Sequence, residues 1–196
     1  IEFSNAKPHR FKKQVKNILL TFGGTDQHDL TSQIYHAIND ICSTRGIFIH
    51  IVTGPGYSGY DKLSATVEDN SMVTITQETG VISAIMEKTE LAIVTNGRTV
   101  FELAHMNIPA IVISQHKRED THNFSIEENG FISIGLYENK KTVQDVVHKL
   151  EQILDDEKYR HELFKGTTKF RFNNNKTRVL QEIDMLLDRS EERVIH

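Results

Sequence analysis

The side chains able to do chemistry gather in four short stretches. Gly23-Gly24-Thr25-Asp26 follows an apolar run and brings together two glycines, a hydroxyl and a carboxylate. Glycines let a backbone approach a ligand closely, and the amides of a following helix favour an anion. A tight passage from strand to helix needs the same residues. Asn96-Gly97-Arg98-Thr99 opens a second helix, where Thr99 offers hydroxyl and amide to a phosphate. Glu102 stands three residues after Thr99, on the same helix face, and a carboxylate there suits the two hydroxyls of a ribose. The helix dipole alone also favours an acid in a first turn.

Two further stretches carry weaker signals. Gly54-Pro55-Gly56-Tyr57-Ser58-Gly59 is a literal G-x-G-x-x-G, which invites a dinucleotide reading. It follows the second apolar run rather than the first, Pro55 stiffens it, and the next helix starts weakly. A lone fingerprint of this kind often arises by chance, so a flexible surface turn is expected. The loop His116–Asn123 holds two histidines and two acids. His and carboxylate suit zinc or manganese, but the spacing fits no metal motif, and His122 has no evident nucleophile beside it. Recognition of hydroxyls on a polar ligand fits this mixture of donors and acceptors best. Neither a metal nor a cofactor is expected.

The elements that must position these residues alternate regularly. Apolar runs at 17–22, 47–53, 72–76, 91–94, 109–114 and 131–136 read as buried strands. Helical spacing separates them: Leu30, Ile34, Ala37, Ile38 and Ile41 after the first, with Asp29 or Thr31 as cap. Further helices are expected at 61–68, 79–88, 98–106 and 124–129, the last stopped by Gly130. A strong one opens at Thr142 with Asp145 in capping-box position, and two more follow at 156–164 and 176–188. This is a doubly wound α/β pattern with a mostly parallel six-stranded sheet and helices on both faces. In such sheets ligands bind beyond the carboxyl ends of the strands, where the polar stretches fall.

Composition narrows the class. The 196 residues, 38% hydrophobic and 26% charged, suit one soluble domain over 17–188. Residues 1–16 read as a linker from a missing N-terminal part, and 189–196 as a frayed tail. A formal charge of −4 with no basic face argues against nucleic acid. One cysteine, Cys42, excludes an internal disulfide and reads as a small buried residue. No run reaches the ~18–20 apolar residues of a membrane span, and no signal peptide is visible, so the expected location is cytoplasmic.

Three motifs, ILLTFGGTD at 18–26, NGRTVFELAHMNIPAIVI at 96–113 and REDTHNF at 118–124, carry a family resemblance over roughly 15–187. Together they resemble the C-terminal, Rossmann-like half of a two-domain (GT-B) nucleotide-sugar enzyme. The nearest families are the UDP-sugar hydrolase of pseudaminic acid biosynthesis and the spore-coat-polysaccharide proteins. The peptidoglycan N-acetylglucosaminyltransferase is more distant. The resemblance implies a UDP-sugar ligand, with Gly23, Gly24, Thr25, Asn96, Gly97 and Thr99 around the diphosphate. It implies Glu102 on the ribose, the backbone of Ile75 and Thr76 beside the nucleobase, and His122 and Asn123 toward the sugar. It also implies that the catalytic base belongs to an N-terminal domain outside this chain. Two positions depart from the family pattern: Arg98 replaces a second glycine, and His122 stands near a usual glutamine. Arg98 either helps neutralise a diphosphate or obstructs it by bulk. The competing reading is a degenerate, non-catalytic module that pairs with another domain or subunit.

Overall fold

The computed structural model describes residues 3, 6–77, 80, 82–170, 172 and 177–185. Strands and helices alternate as β1 (Asn17–Thr21), α1 (Leu30–Thr44), β2 (Phe48–Thr53), α2 (Tyr60–Val67), β3 (Val73–Gln77), α3 (Ile82–Met86) and β4 (Leu91–Thr95). They continue as α4 (Thr99–Met106), β5 (Ala110–Ser114), α5 (Lys117–Asp120), β6 (Phe131–Leu136), α6 (Lys140–Asp155) and α7 (Glu157–Thr167). The sheet order is β3-β2-β1-β4-β5-β6, and every pairing is parallel. Parallel strands need crossover helices, and these cover both faces. β4 and β5 are accordingly buried at every position.

Strand periodicity divides the core in two. Ile18 and Leu20 point to one face, against α1, α2 and α6, with Ile34, Ile38, Leu150 and Ile153. Leu19 and Val94 point to the other, against α3 and α4, with Met86, Val100, Leu103 and Phe131. At about 25 cal/mol per Å² of apolar surface removed from water, these two layers supply the main stabilisation. Cys42 is buried, and burial pushes its thiol up to about 12, so it is an inert core residue.

Some local expectations are corrected by tertiary contacts. Asp29 does not cap α1: its φ is 53° and its side chain makes no cap bond. Asp26 does so instead, accepting from the amides of Leu30 at 2.9 Å and Thr31 at 2.7 Å. α6 starts at Lys140, two residues before Thr142, whose hydroxyl accepts from the Glu138 amide at 2.7 Å. The expected helix at 124–129 is only a 3₁₀ turn, Glu127–Asn129. Phe124 packs on Phe131 and Phe170, and Ser125 is drawn toward Asn96, so the chain there follows its anchors rather than a helical path. Conversely, the loop after β5 contains the short α5. α7 begins where expected, with Asp156 accepting from the Tyr159 amide at 2.9 Å. Of the helix expected at 79–88, Ile82–Met86 is helical, and 78, 79 and 81 lie outside the described residues. Residues 177–185 are helical, and the tail at 189–196 lies outside the described residues.

Residues 6–16 are strapped to the domain at the amino ends of the strands. The His9 amide donates to Met106 O at 2.8 Å, and Asn107 Nδ2 donates to His9 O at 2.9 Å. The buried Glu90 carboxylate accepts from Lys12 Nζ at 2.6 Å and from the amides of Lys16 at 3.0 Å and Asn17 at 2.7 Å. Burial alone would raise its pKa, but these donors outweigh it and hold the carboxyl below its ordinary value. Among the described residues no helix is long and apolar enough to cross a membrane.

Candidate functional site

β1 lies between β2 and β4, so the chain winds outward in opposite directions from the β1–β4 boundary. That boundary is the topological switch point, where open parallel sheets leave a crevice. The turn 23–25 leaves β1 there, and the turn 96–98 leaves β4 beside it. Gly23 has a φ of 78°, which only glycine adopts at little cost. A Cβ on Gly23 would lie 3.8 Å from Thr95 Cγ2, and one on Gly97 would lie 3.7 Å from the same methyl. The two glycine turns therefore flank Thr95.

The end of β5 joins them through Gln115, which no motif had singled out, and through Glu119 of the REDTHNF motif. Gln115 is buried, and its Nε2 donates to Phe22 O at 2.9 Å, tying β5 to the end of β1. Glu119 Oε2 accepts from Thr95 Oγ1 at 2.7 Å and from the Gln115 amide at 2.8 Å. His28, in the approach to α1, makes a 3.2 Å bond from Nε2 to Gln115 O and packs its ring on Tyr137. A carboxylate thus stands beside Thr95 at the mouth of the crevice. For Thr95 and Gln115 the available hint was position, at the end of β4 and just after β5, while Glu119 lay in the REDTHNF motif without a role of its own.

The expected site residues fall into distinct environments. Gly23, Gly24 and Thr25 are exposed. Asn96 is 3% exposed, and its side chain is spent on the neighbouring loop. Asn96 Nδ2 donates to Glu119 O at 2.9 Å and His122 O at 3.3 Å, while Oδ1 accepts from Ser125 Oγ at 2.7 Å. His122 Nδ1 meets Asn96 O at 2.8 Å, and both His122 and Asn123 are exposed. Asn96 is therefore a buried tie that shapes the loop, and any ligand contact from it is by backbone. Gly97, Thr99 and Glu102 are half-buried at the start of α4, and Arg98 is exposed. Ile75 and Thr76 lie within β3 rather than past its end, half-buried. Three strand spacings separate β3 from β4, or roughly 14 Å.

The two helix N-termini differ electrostatically. The first turn of α1 already holds an anion of its own, Asp26, whose carboxyl is pushed above its ordinary value by burial despite its amide bonds. α4 has no side-chain cap. The amides of Val100 and Phe101 turn back to Gly97 O at 3.3 Å and Arg98 O at 3.0 Å, which leaves the helix dipole and the amides just ahead of them, at Arg98 and Thr99, for an external anion.

The G-x-G-x-x-G stretch is not a flexible turn but a buttress beneath this site. The amides of Gly54 and Gly56 donate to Gly23 O at 3.1 Å and Gly24 O at 3.0 Å. Tyr57 is 4% exposed, and its hydroxyl donates to Asp29 Oδ1 at 2.5 Å. Burial and that carboxylate both push the phenol pKa up. Gly54 lies against the Gly23–Gly24 backbone, and a Cβ on Gly56 would stand 2.9 Å from Thr25 Cγ2 and 3.1 Å from Gly24 O, so both glycines are set by close packing. In the His116–Asn123 loop, as among the described residues generally, no group of three His, Cys, Asp or Glu side chains is placed to hold a metal ion.

The profile of the glycosyltransferase family 28 C-terminal domain matches residues 17–183. The chain belongs to this family. Among curated proteins, the spore coat polysaccharide biosynthesis protein SpsG of Bacillus subtilis is 21% identical over 160 residues, 81% of this chain and 47% of its own. An uncharacterized Methanocaldococcus jannaschii protein, MJ1062, is 29% identical over 108 residues, 54% of this chain and 22% of its own. The chain thus spans about half of SpsG and about a fifth of MJ1062. Among solved structures, S. aureus MnaA in its co-structure with UDP superposes with a TM-score of 0.70 at 14% identity, covering 92% of this chain and 50% of that one. At that identity the superposition concerns the fold: a wholly parallel Rossmann-like domain of the GT-B kind.

Proposed function

We propose that this chain is the nucleotide-sugar-binding half of an enzyme that transfers or hydrolyses a UDP-sugar in surface polysaccharide or nonulosonic acid synthesis. One observation carries the reading: two glycine turns flank Thr95 at the switch point, beside the uncapped N-terminus of α4 and one turn before Glu102. In this reading the backbone of Gly23–Thr25 and of Asn96–Thr99 holds the diphosphate, with exposed Arg98 adding positive charge. Glu102 accepts from the ribose hydroxyls, the Ile75–Thr76 backbone lies toward the base, and His122 and Asn123 face the sugar. Donors fixed in place before reaction stabilise UDP as it departs with negative charge. The catalytic base is supplied by an N-terminal domain of the same polypeptide. The same proposal places the protein in the cytoplasm.

The test is calorimetry and thermal shift with UDP, CMP, GDP and NAD, since a bound ligand stabilises the fold by an amount that grows with the logarithm of its concentration over Kd. UDP is expected to bind weakly, and Glu102→Ala to weaken it by about tenfold or more. Absence of any UDP or UDP-sugar binding would sink the proposal. The degenerate-module reading draws on the carboxylates of Asp26 and Glu119 at the seat, which oppose a diphosphate. It predicts no nucleotide response together with stable association with a partner domain.

A further inference from the structure

At the opposite end of the sheet, the segment before β1, the loop before β2, the end of α6 and α7 enclose a cleft of about 220 Å³. Its lining includes Lys13, Lys16, Arg45 and Arg160 and no acidic residue. Among the described residues Lys13 and Lys16 make no ion pair. Arg45 is bound on the rim by Asp155 at 2.6 Å.

Arg160 is the unusual member. It is 6% exposed, yet all its hydrogen bonds go to neutral carbonyls. Nη1 donates to Ile153 O at 2.5 Å and to Leu154 O at 3.3 Å, and Nη2 donates to Lys13 O. Among the described residues its Nε has no hydrogen-bond partner. The carbonyls at the end of α6 offer about half a negative charge through the helix dipole. Asp156 and Glu157 attract it only at longer range. A buried cation without a carboxylate is costly, and an anion brought to it recovers part of that cost.

We propose that this cleft is a second anion site, taking a compact phosphate ester between Lys13, Lys16 and Arg160. Its volume lies below the roughly 300–1,000 Å³ of sites for drug-sized ligands, which favours a phosphate with a small organic body over a nucleotide sugar. The site sits at the amino ends of the strands, away from the crevice at their carboxyl ends. It does not depend on the nucleotide-sugar reading.

The experiment titrates inorganic phosphate and glycerol phosphate into the full chain, with sodium chloride at matched ionic strength as the reference. Saturable binding beyond the salt reference is expected, weakened by about tenfold in Lys13→Glu/Lys16→Glu. Both lysines are exposed, and unchanged thermal unfolding of the variant without phosphate checks its fold. Lys13→Gln/Lys16→Gln, which removes charge without reversing it, should show an intermediate loss. Sedimentation with phosphatidic acid vesicles against phosphatidylcholine vesicles distinguishes the source. Lysine-dependent capture on the former assigns a lipid headgroup, and phosphate binding without capture assigns a soluble ester. A response equal to that of chloride, or one kept in both lysine variants, overturns the proposal.

Discussion

Gly54→Ala tests whether the β2–α2 loop supports the crevice. A methyl on Gly54 would stand 2.5 Å from Gly24 O and 2.7 Å from Gly23 O, and closer still to Gly24 Cα. Ordinary contact needs about 3.5 Å, so one backbone must retreat by roughly 1 Å, and no side chain is available to yield. Overpacking of this kind costs about 1–3 kcal/mol, which for a domain of this size lowers Tm by roughly 3–9 °C. The retreating segment is the Gly23–Gly24 turn, so UDP binding should fall as well. Gly24→Ala is the matched control, since its methyl meets nothing within 4 Å. It should unfold like the wild type yet bind UDP less well, because the methyl occupies the ligand's approach. Urea unfolding and calorimetry on both variants separate the two effects. If Gly54→Ala unfolds at the wild-type midpoint with wild-type affinity, the backbone contact has been misjudged.

Three further outcomes are expected. Asn96→Ala should cost about 2–4 kcal/mol in urea unfolding, because the carbonyls of Glu119 and His122 and the Ser125 hydroxyl lose their partner. Amides of residues 119–125 should then exchange faster. Glu119→Gln keeps an acceptor for Thr95 and Gln115 but removes charge beside the seat. UDP affinity should rise by roughly three- to tenfold, most clearly at low salt, and an unchanged affinity would place the diphosphate elsewhere. Acid should destabilise the chain in two steps. His50 is held below its ordinary 6.5 by burial and then by Lys88, so below pH 6.5 the unfolded chain takes the proton first and stability falls. Glu90, held below 4.5 by Lys12 and two amides, contributes stability above that pH and loses it as pH drops through its folded value. Urea midpoints from pH 7 down to about pH 2 should show His50→Gln flattening the first step and Glu90→Gln the second.

The strands, the parallel class of the sheet and the two glycine turns were legible in the amino-acid sequence because each rests on local pattern. Runs such as Leu91–Val94 are apolar at every position, and a strand buried on both faces needs nothing else to be recognised. The Asn96–Thr99 turn and Glu102 were legible for the same reason: a glycine at a strand end and an acid one helical turn later are short-range signals. Helix starts were less secure. Asp29 and Thr31 were the caps the spacing offered, and only the fold put Asp26 in that role, with Asp29 turned toward Tyr57.

Tertiary structure alone decided what the side chains at the crevice do. Gln115 reaches Phe22 across 93 positions, and Gly54 touches Gly23 across a whole helix. No local spacing encodes contacts between strand ends that become neighbours only through the sheet order. The same ordering engaged the Asn96 side chain in a buried tie, leaving its backbone toward the crevice, and made the G-x-G-x-x-G stretch a support. It also brought the Glu119 carboxylate to Thr95, because β4 and β5 end side by side and the loop after β5 folds back over both.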